Sequence, residues 1–125
     1  MAGASAEEEE RSIKVGMTSV DAFVEQSGAP LPTVVMMDIE GAEVDALRGM
    51  RRTLERSRPV ILGEVHWLGE GMTACFDEVL RPLGYEMTTY SGGAVPEGYV
   101  RYHALIAPPG LSEHGGDVRG RDRSN

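Results

Sequence analysis

The sequence predicts an α/β protein built on part of a parallel sheet, and two short apolar runs carry that prediction. Val34-Val35-Met36-Met37 ends in Asp38-Ile39-Glu40-Gly41-Ala42-Glu43, and Pro59-Val60-Ile61-Leu62-Gly63 ends in Glu64-Val65-His66. Runs this short and this rich in β-branched residues read as strands buried on both faces, with helices on either side of the sheet. A third observation joins them. Between the runs, Val44, Leu47, Met50 and Leu54 recur at steps of three and four, with Asp45, Arg48, Arg52, Glu55 and Arg56 opposite. That spacing predicts one amphipathic helix over Val44–Leu54, packed across the sheet. Strand, helix and strand in so short a span form a βαβ unit, with its two strands parallel and its crossover right-handed.

The remaining elements follow in chain order. Residues 1–11, rich in Ala and Glu, show no hydrophobic period and are expected to be disordered. Ile13, Val15 and Met17 alternate with polar or small residues, which predicts a strand over Ser12–Thr18. Ser19 or Thr18 caps the following helix, with Asp21 in its first turn, and Gly28 to Pro32 ends it. After Gly41 turns the chain, the central helix stops near Ser57, because Pro59 cannot continue it and disfavours helical geometry at Arg58. Met72, Phe76, Val79, Leu80 and Leu83 predict a further helix, distorted by Pro82 and closed by Gly84. Tyr85–Tyr90 reads as a strand, Ser91–Gly98 as a turn and Tyr102–Ala107 as a returning strand. The domain is expected to span residues 12–109, with a flexible tail over 110–125.

Composition narrows the function classes. The formal charge of −8 includes −3 from residues 1–11 and nothing from residues 110–125, so the core keeps −5. An acidic core argues against charge-driven binding to nucleic acid or to an anionic membrane. Cys75 is the single cysteine, so an internal disulfide and a multi-cysteine zinc site are excluded. No stretch approaches the ~18 apolar residues of a membrane span, and the N-terminus has no basic-then-apolar secretory pattern. A cytoplasmic protein is expected.

Ser19-Val20-Asp21-Ala22-Phe23-Val24, Met37-Asp38-Ile39-Glu40-Gly41-Ala42-Glu43, Leu47-Arg48-Gly49 and Arg58-Pro59-Val60-Ile61-Leu62-Gly63-Glu64-Val65-His66 occur in that order. Together they resemble the C-terminal half of FkbM-type methyltransferases. The resemblance spans roughly residues 12–109 and implies a partial Rossmann-like sheet: the C-terminal strands of the doubly wound fold, the last one antiparallel, with flanking helices. It also implies O-methylation of a hydroxyl acceptor with S-adenosylmethionine as cofactor. In the family, an upstream strand ends in a Gly-rich turn, and the next ends in an acid that holds the ribose. Neither pattern occurs in these 125 residues, so the isolated chain is expected to be inactive, and another protein chain is a candidate to complete the sheet.

The site expected from this reading lies at the strand ends, where open α/β sheets bind ligands. Asp38, Glu64 and His66 are the expected catalytic residues, and Glu40 and Glu43 the expected substrate-binding residues. A carboxylate at that edge positions a hydroxyl or takes its proton, and an imidazole beside a carboxylate is a general base near neutral pH. Structural roles compete: Asp38 also suits an N-cap near Ala42, Glu40 and Glu43 suit the positive helix end, and His66 suits an ordinary loop. The expected set contains no metal, although Glu64 and His66 equally suit metal ligands beside Asp38. Two further classes stay open, an accessory or vestigial module that pairs with another chain and a small metal-dependent hydrolase. His103 reads as structural, and Met36, Met37, Met50 and Met72 read as core fillers. Tyr85, Tyr90, Tyr99 and Tyr102 suit either packing or substrate contact.

Overall fold

The computed structural model describes residues 11–110. The flexible N-terminal stretch and C-terminal tail expected from the sequence lie outside them, apart from Arg11 and Gly110, and so does His114. The described chain is a mixed α/β domain with one open four-stranded sheet and flanking helices. In chain order its elements are α1 (Val20–Ser27), β1 (Val34–Met37), α2 (Glu43–Arg48), α3 (Arg51–Ser57), β2 (Val60–His66), α4 (Glu70–Cys75), β3 (Glu86–Thr89) and β4 (Arg101–Ala107). No helix among the described residues is long and apolar enough to cross a membrane.

The sheet order is β1-β2-β4-β3. β1 and β2 pair in parallel, Val34 with Val60 through Met37 with Gly63. β4 runs antiparallel to both β2 and β3. The expected βαβ unit and the reversed last strand are both present. Carried one residue further, the β1–β2 register sets Asp38 level with Glu64.

One face of the sheet is built into the core. Met37, Ile61, Val65, Ala104 and Ile106 are buried there with Leu47 from α2, Met50 between α2 and α3, Leu54 from α3 and Met72 from α4. Among the described residues nothing closes the opposite face at β1, contrary to the expectation of burial on both faces. Side chains alternate along a strand, so Val34 and Met36 share that face, and Met36 is 82% exposed rather than a core filler. β1 is the outer strand, and nothing among the described residues lies beyond it.

Two further expectations are corrected. Ser12–Thr18 forms no strand, and Ile13, Val15 and Met17 are all exposed. An alternating pattern makes a strand only where a neighbour offers backbone partners, and the sheet offers none to this stretch. The helix predicted over Val44–Leu54 is two helices, broken at Gly49-Met50. α1 packs against this break. Gly49 O accepts the Asp21 N–H at 3.0 Å, and a Cβ on Gly49 would stand 3.0 Å from Ser19 Cβ. Only a glycine lets the start of α1 approach so closely.

The Asp21 side chain then crosses to α3 and is buried. Its Oδ1 accepts from Thr53 N–H at 2.9 Å and from Thr53 Oγ1 at 2.7 Å, and its Oδ2 accepts from Arg52 N–H at 3.0 Å. Asp21 therefore caps the helix across from its own. Ser19 Oγ caps α1 by accepting from Ala22 N–H at 3.1 Å, and Gly28 ends that helix with a left-handed φ of 67°. Beyond α4, Phe76–Leu80 widens into a π-helical turn and Arg81–Leu83 tightens into a 3₁₀ turn. This is the distortion expected from Pro82, which donates no backbone hydrogen bond and crowds the preceding turn.

Candidate functional site

β1 stops at Met37, and the chain turns through Ile39–Ala42 into α2, with Ala42 N–H donating to Ile39 O at 3.3 Å. Glu40 holds this turn at φ 54°, in the left-handed region that favours glycine. At the end of the neighbouring strand, Trp67 has φ 46° directly after His66. Two strained non-glycine residues thus flank one spot at the C-terminal edge of the parallel pair. Such strain persists where the surroundings over-determine the backbone, and it gathers at functional sites.

Between them lies the cluster. His66 is the last residue of β2, and its side chain is only 4% exposed. Its Nδ1 meets Glu43 Oε1 in a short hydrogen bond. Its Nε2 faces outward, 3.4 Å from Asp38 Oδ1, 3.6 Å from Glu64 Oε1 and 4.0 Å from Glu40 Oε1. The Asp38 and Glu40 side chains stand 63% and 83% exposed, so the mouth opens to solvent on that side. On the other side, Arg101 Nε lies 3.2 Å from Glu64 Oε1 and His103 Nε2 lies 3.7 Å from Glu64 Oε2.

Glu43 sits at the first position of α2 with no exposed surface. Its second oxygen, Oε2, is buried without a hydrogen-bond partner among the described residues. An unpaired buried carboxylate oxygen is costly, so this acid is not a spare surface charge. The Glu43 carboxylate raises the proton affinity of His66 above that of an ordinary histidine. Burial opposes the rise, and the charges of Glu43, Glu40 and Glu64 add to it.

The structure brings Asp38, Glu64 and His66 together, with one ligating atom from each within 4.8 Å of the others. Glu40 stands at the rim. Glu43, expected on the substrate side, lies behind His66, where it touches Nδ1 and not the mouth. Asp38 makes no capping bond, since the N-cap of α2 is Ala42 and no side chain caps the helix. Arg101 is the neighbour that the sequence reading missed. The antiparallel register that pairs His66 with Arg101 puts it there, and that register follows from the reversed last strand.

A separate cleft of about 780 Å³ opens between α4, β3 and the loop before β4, lined by Phe76, Tyr85, Met87, Tyr99 and Tyr102 among others. Of the four tyrosines, Tyr85 is buried and donates to Pro59 O at 2.7 Å, and burial pushes its hydroxyl up to about 12. Tyr90 is exposed and lies against His103, with ring centroids 5.3 Å apart.

An open α/β sheet with carboxylates and an imidazole gathered where two parallel strands end has the frame of a ligand-binding or catalytic α/β domain. A family model for the methyltransferase FkbM domain matches residues 1–87. The chain belongs to that methyltransferase family. No curated protein and no solved structure matches it.

Proposed function

We propose that this chain is the acceptor side of an FkbM-type O-methyltransferase, the part that holds a hydroxyl and removes its proton. The observation that carries this reading is the alignment Glu43–His66–mouth: a buried carboxylate fixes Nδ1, and Nε2 points between Asp38 and Glu64 at a strand end.

Enzymes of this family take the methyl group from S-adenosylmethionine. Among the described residues nothing forms a cradle for that cofactor. β1 is the outer strand, and residues 12–18 before α1 form neither a strand nor a Gly-rich turn. These residues alone do not fit the cofactor, and the half that grips it comes from another stretch or another chain.

At the acceptor, each residue has a distinct part. The hydroxyl donates to His66 Nε2 and transfers its proton there as its oxygen becomes the nucleophile. Glu43 balances the imidazolium through Nδ1–H, a pairing that also fixes which nitrogen is free. Asp38 and Glu64 flank Nε2 and stabilise its positive charge. Glu40 at the rim accepts from other donors on the acceptor.

The test is methyl transfer from methyl-labelled S-adenosylmethionine by this chain joined to the cofactor-binding half of an FkbM relative. Label should enter a hydroxyl acceptor, and His66→Gln should lower the rate by roughly 10²–10⁴-fold. Equal rates in the two proteins would exclude His66 as the base.

A second reading draws on the bare face and edge at β1, where Val34 and Met36 are exposed. On that reading the chain is a non-catalytic module that completes its sheet against another chain. A monomer in sedimentation at high micromolar concentration, with the apolar edge still open, counts against it.

A further inference from the structure

The mouth at the strand ends has a second use that goes beyond the methyl-transfer reading and does not rest on it. Three observations bear on it. The first is the donor set. Asp38 and Glu64 each offer a carboxylate oxygen and His66 a ring nitrogen, mutually within 4.8 Å. A tetrahedral ion with bonds of about 2.0–2.2 Å holds its donors roughly 3.4 Å apart. The Nε2 distances of 3.4 Å and 3.6 Å to the two carboxylates already lie close to that spacing.

The second observation is His66 itself. Its side chain is 4% exposed and aimed into the cluster, and among the described residues Nε2 closes no hydrogen bond. The third is Glu43 behind it. A ligating histidine characteristically gives its other ring nitrogen to a carboxylate, which sets the tautomer and ring plane and strengthens the donor. Glu43 is fully buried with Oε2 unpaired, and among the described residues its side chain pairs with His66 alone.

Charge points the same way. Asp38, Glu40, Glu43 and Glu64 surround one imidazole, and Arg101 is the guanidinium that reaches Glu64. A divalent ion neutralises that excess better than one proton does.

We propose that Asp38, Glu64 and His66 bind one divalent transition-metal ion of the zinc type, with Glu43 as the carboxylate that orients His66. An imidazole in the set favours zinc-like ions over magnesium or calcium, which prefer all-oxygen sites. The exposed side of Asp38 leaves the fourth position open to water.

The experiment is isothermal titration of the 125-residue chain with Zn²⁺ alone, in a non-chelating buffer, with Mg²⁺ as a second arm. One Zn²⁺ per chain should bind with a micromolar or tighter constant, and Mg²⁺ at least tenfold more weakly. Glu64→Gln and Asp38→Ala, both with wild-type circular dichroism, should each weaken Zn²⁺ by at least tenfold. Glu43→Gln, whose residue touches no metal, should weaken it by roughly 10–100-fold. No binding, or Zn²⁺ binding that the Asp38 and Glu64 variants leave unchanged, overturns the proposal. Neither outcome bears on label transfer, so this assignment and the methyl-transfer reading fail separately.

Discussion

Glu43 and His66, separated by 23 positions in the chain, form the buried pair on which the site is organised: Glu43 Oε1 closes on Nδ1 and leaves Nε2 facing the mouth. Most of the surrounding arrangement, including the level placement of Asp38 and Glu64, depends on the β1–β2 register. The pair itself depends on where α2 begins. Helix geometry at Glu43 directs its side chain back toward the strand end, beneath His66.

Asp38→Asn separates a cluster role from a cap role. Asp38 makes no cap bond and offers an oxygen within 4.8 Å of one from Glu64, so losing its charge relieves repulsion. Urea unfolding near pH 7 should show stability unchanged within about 0.5 kcal/mol or slightly raised, while methyl transfer by the joined enzyme is abolished. A loss of about 0.5–1 kcal/mol with activity intact would make Asp38 a helix-end charge instead.

Asp21→Ala removes the acceptor for two backbone N–H groups and the Thr53 hydroxyl. The expected cost is about 1–2 kcal/mol, that of a lost cap. Burial favours protonation of Asp21, but the hydrogen bonds from Thr53 and Arg52 and the Arg52 charge together hold its carboxyl below 3.8. The sign follows from that depression. The charged form's contribution is complete above about pH 3.8 and is lost as pH falls through the folded value. Denaturation at a series of pH values should show the gap between wild type and Asp21→Ala closing only in that acid range.

Glu40→Gly tests the strained turn. Relief of a left-handed φ of 54° outweighs the added chain entropy, so stability should rise by about 0.5–1 kcal/mol. A lower melting temperature would mean that the Glu40 side chain holds the turn by contacts that matter more than strain.

Cofactor binding should be weak. Titration of S-adenosylmethionine into the isolated chain should give nothing tighter than millimolar, about −4 kcal/mol. A micromolar constant would show that the cofactor cleft is completed, for instance by self-association.

How much of this was legible in the sequence depends on range. Local signals were enough for the β1 and β2 strands, the Ser19 cap, the Gly28 stop and the distortion at Pro82, because each is decided within a few residues. Parallel pairing then placed Asp38 beside Glu64. The failures share a cause: they hinge on neighbours distant in sequence. Ile13, Val15 and Met17 had a strand's pattern and no strand beside them. Met36 had a core residue's chemistry on a face that no other described residue covers. Gly49 stands at the break in the helix, where the start of α1 and Ser19 lie close against it. Asp21 looked like a first-turn charge and proved to cap a different helix. Glu43 carried the signature of a helix N-terminus, and nothing local in it pointed to His66.

Base catalysis at this site turns on which nitrogen of His66 is free. Long-range ¹H–¹⁵N correlation of the His66 ring, at a pH where it is neutral, measures this directly. The account predicts that the remaining proton sits on Nδ1, held by Glu43, with Nε2 unprotonated and facing Asp38 and Glu64. A proton on Nε2 with Nδ1 bare would contradict it, since the mouth would then present a donor to the carboxylates and no base to a hydroxyl.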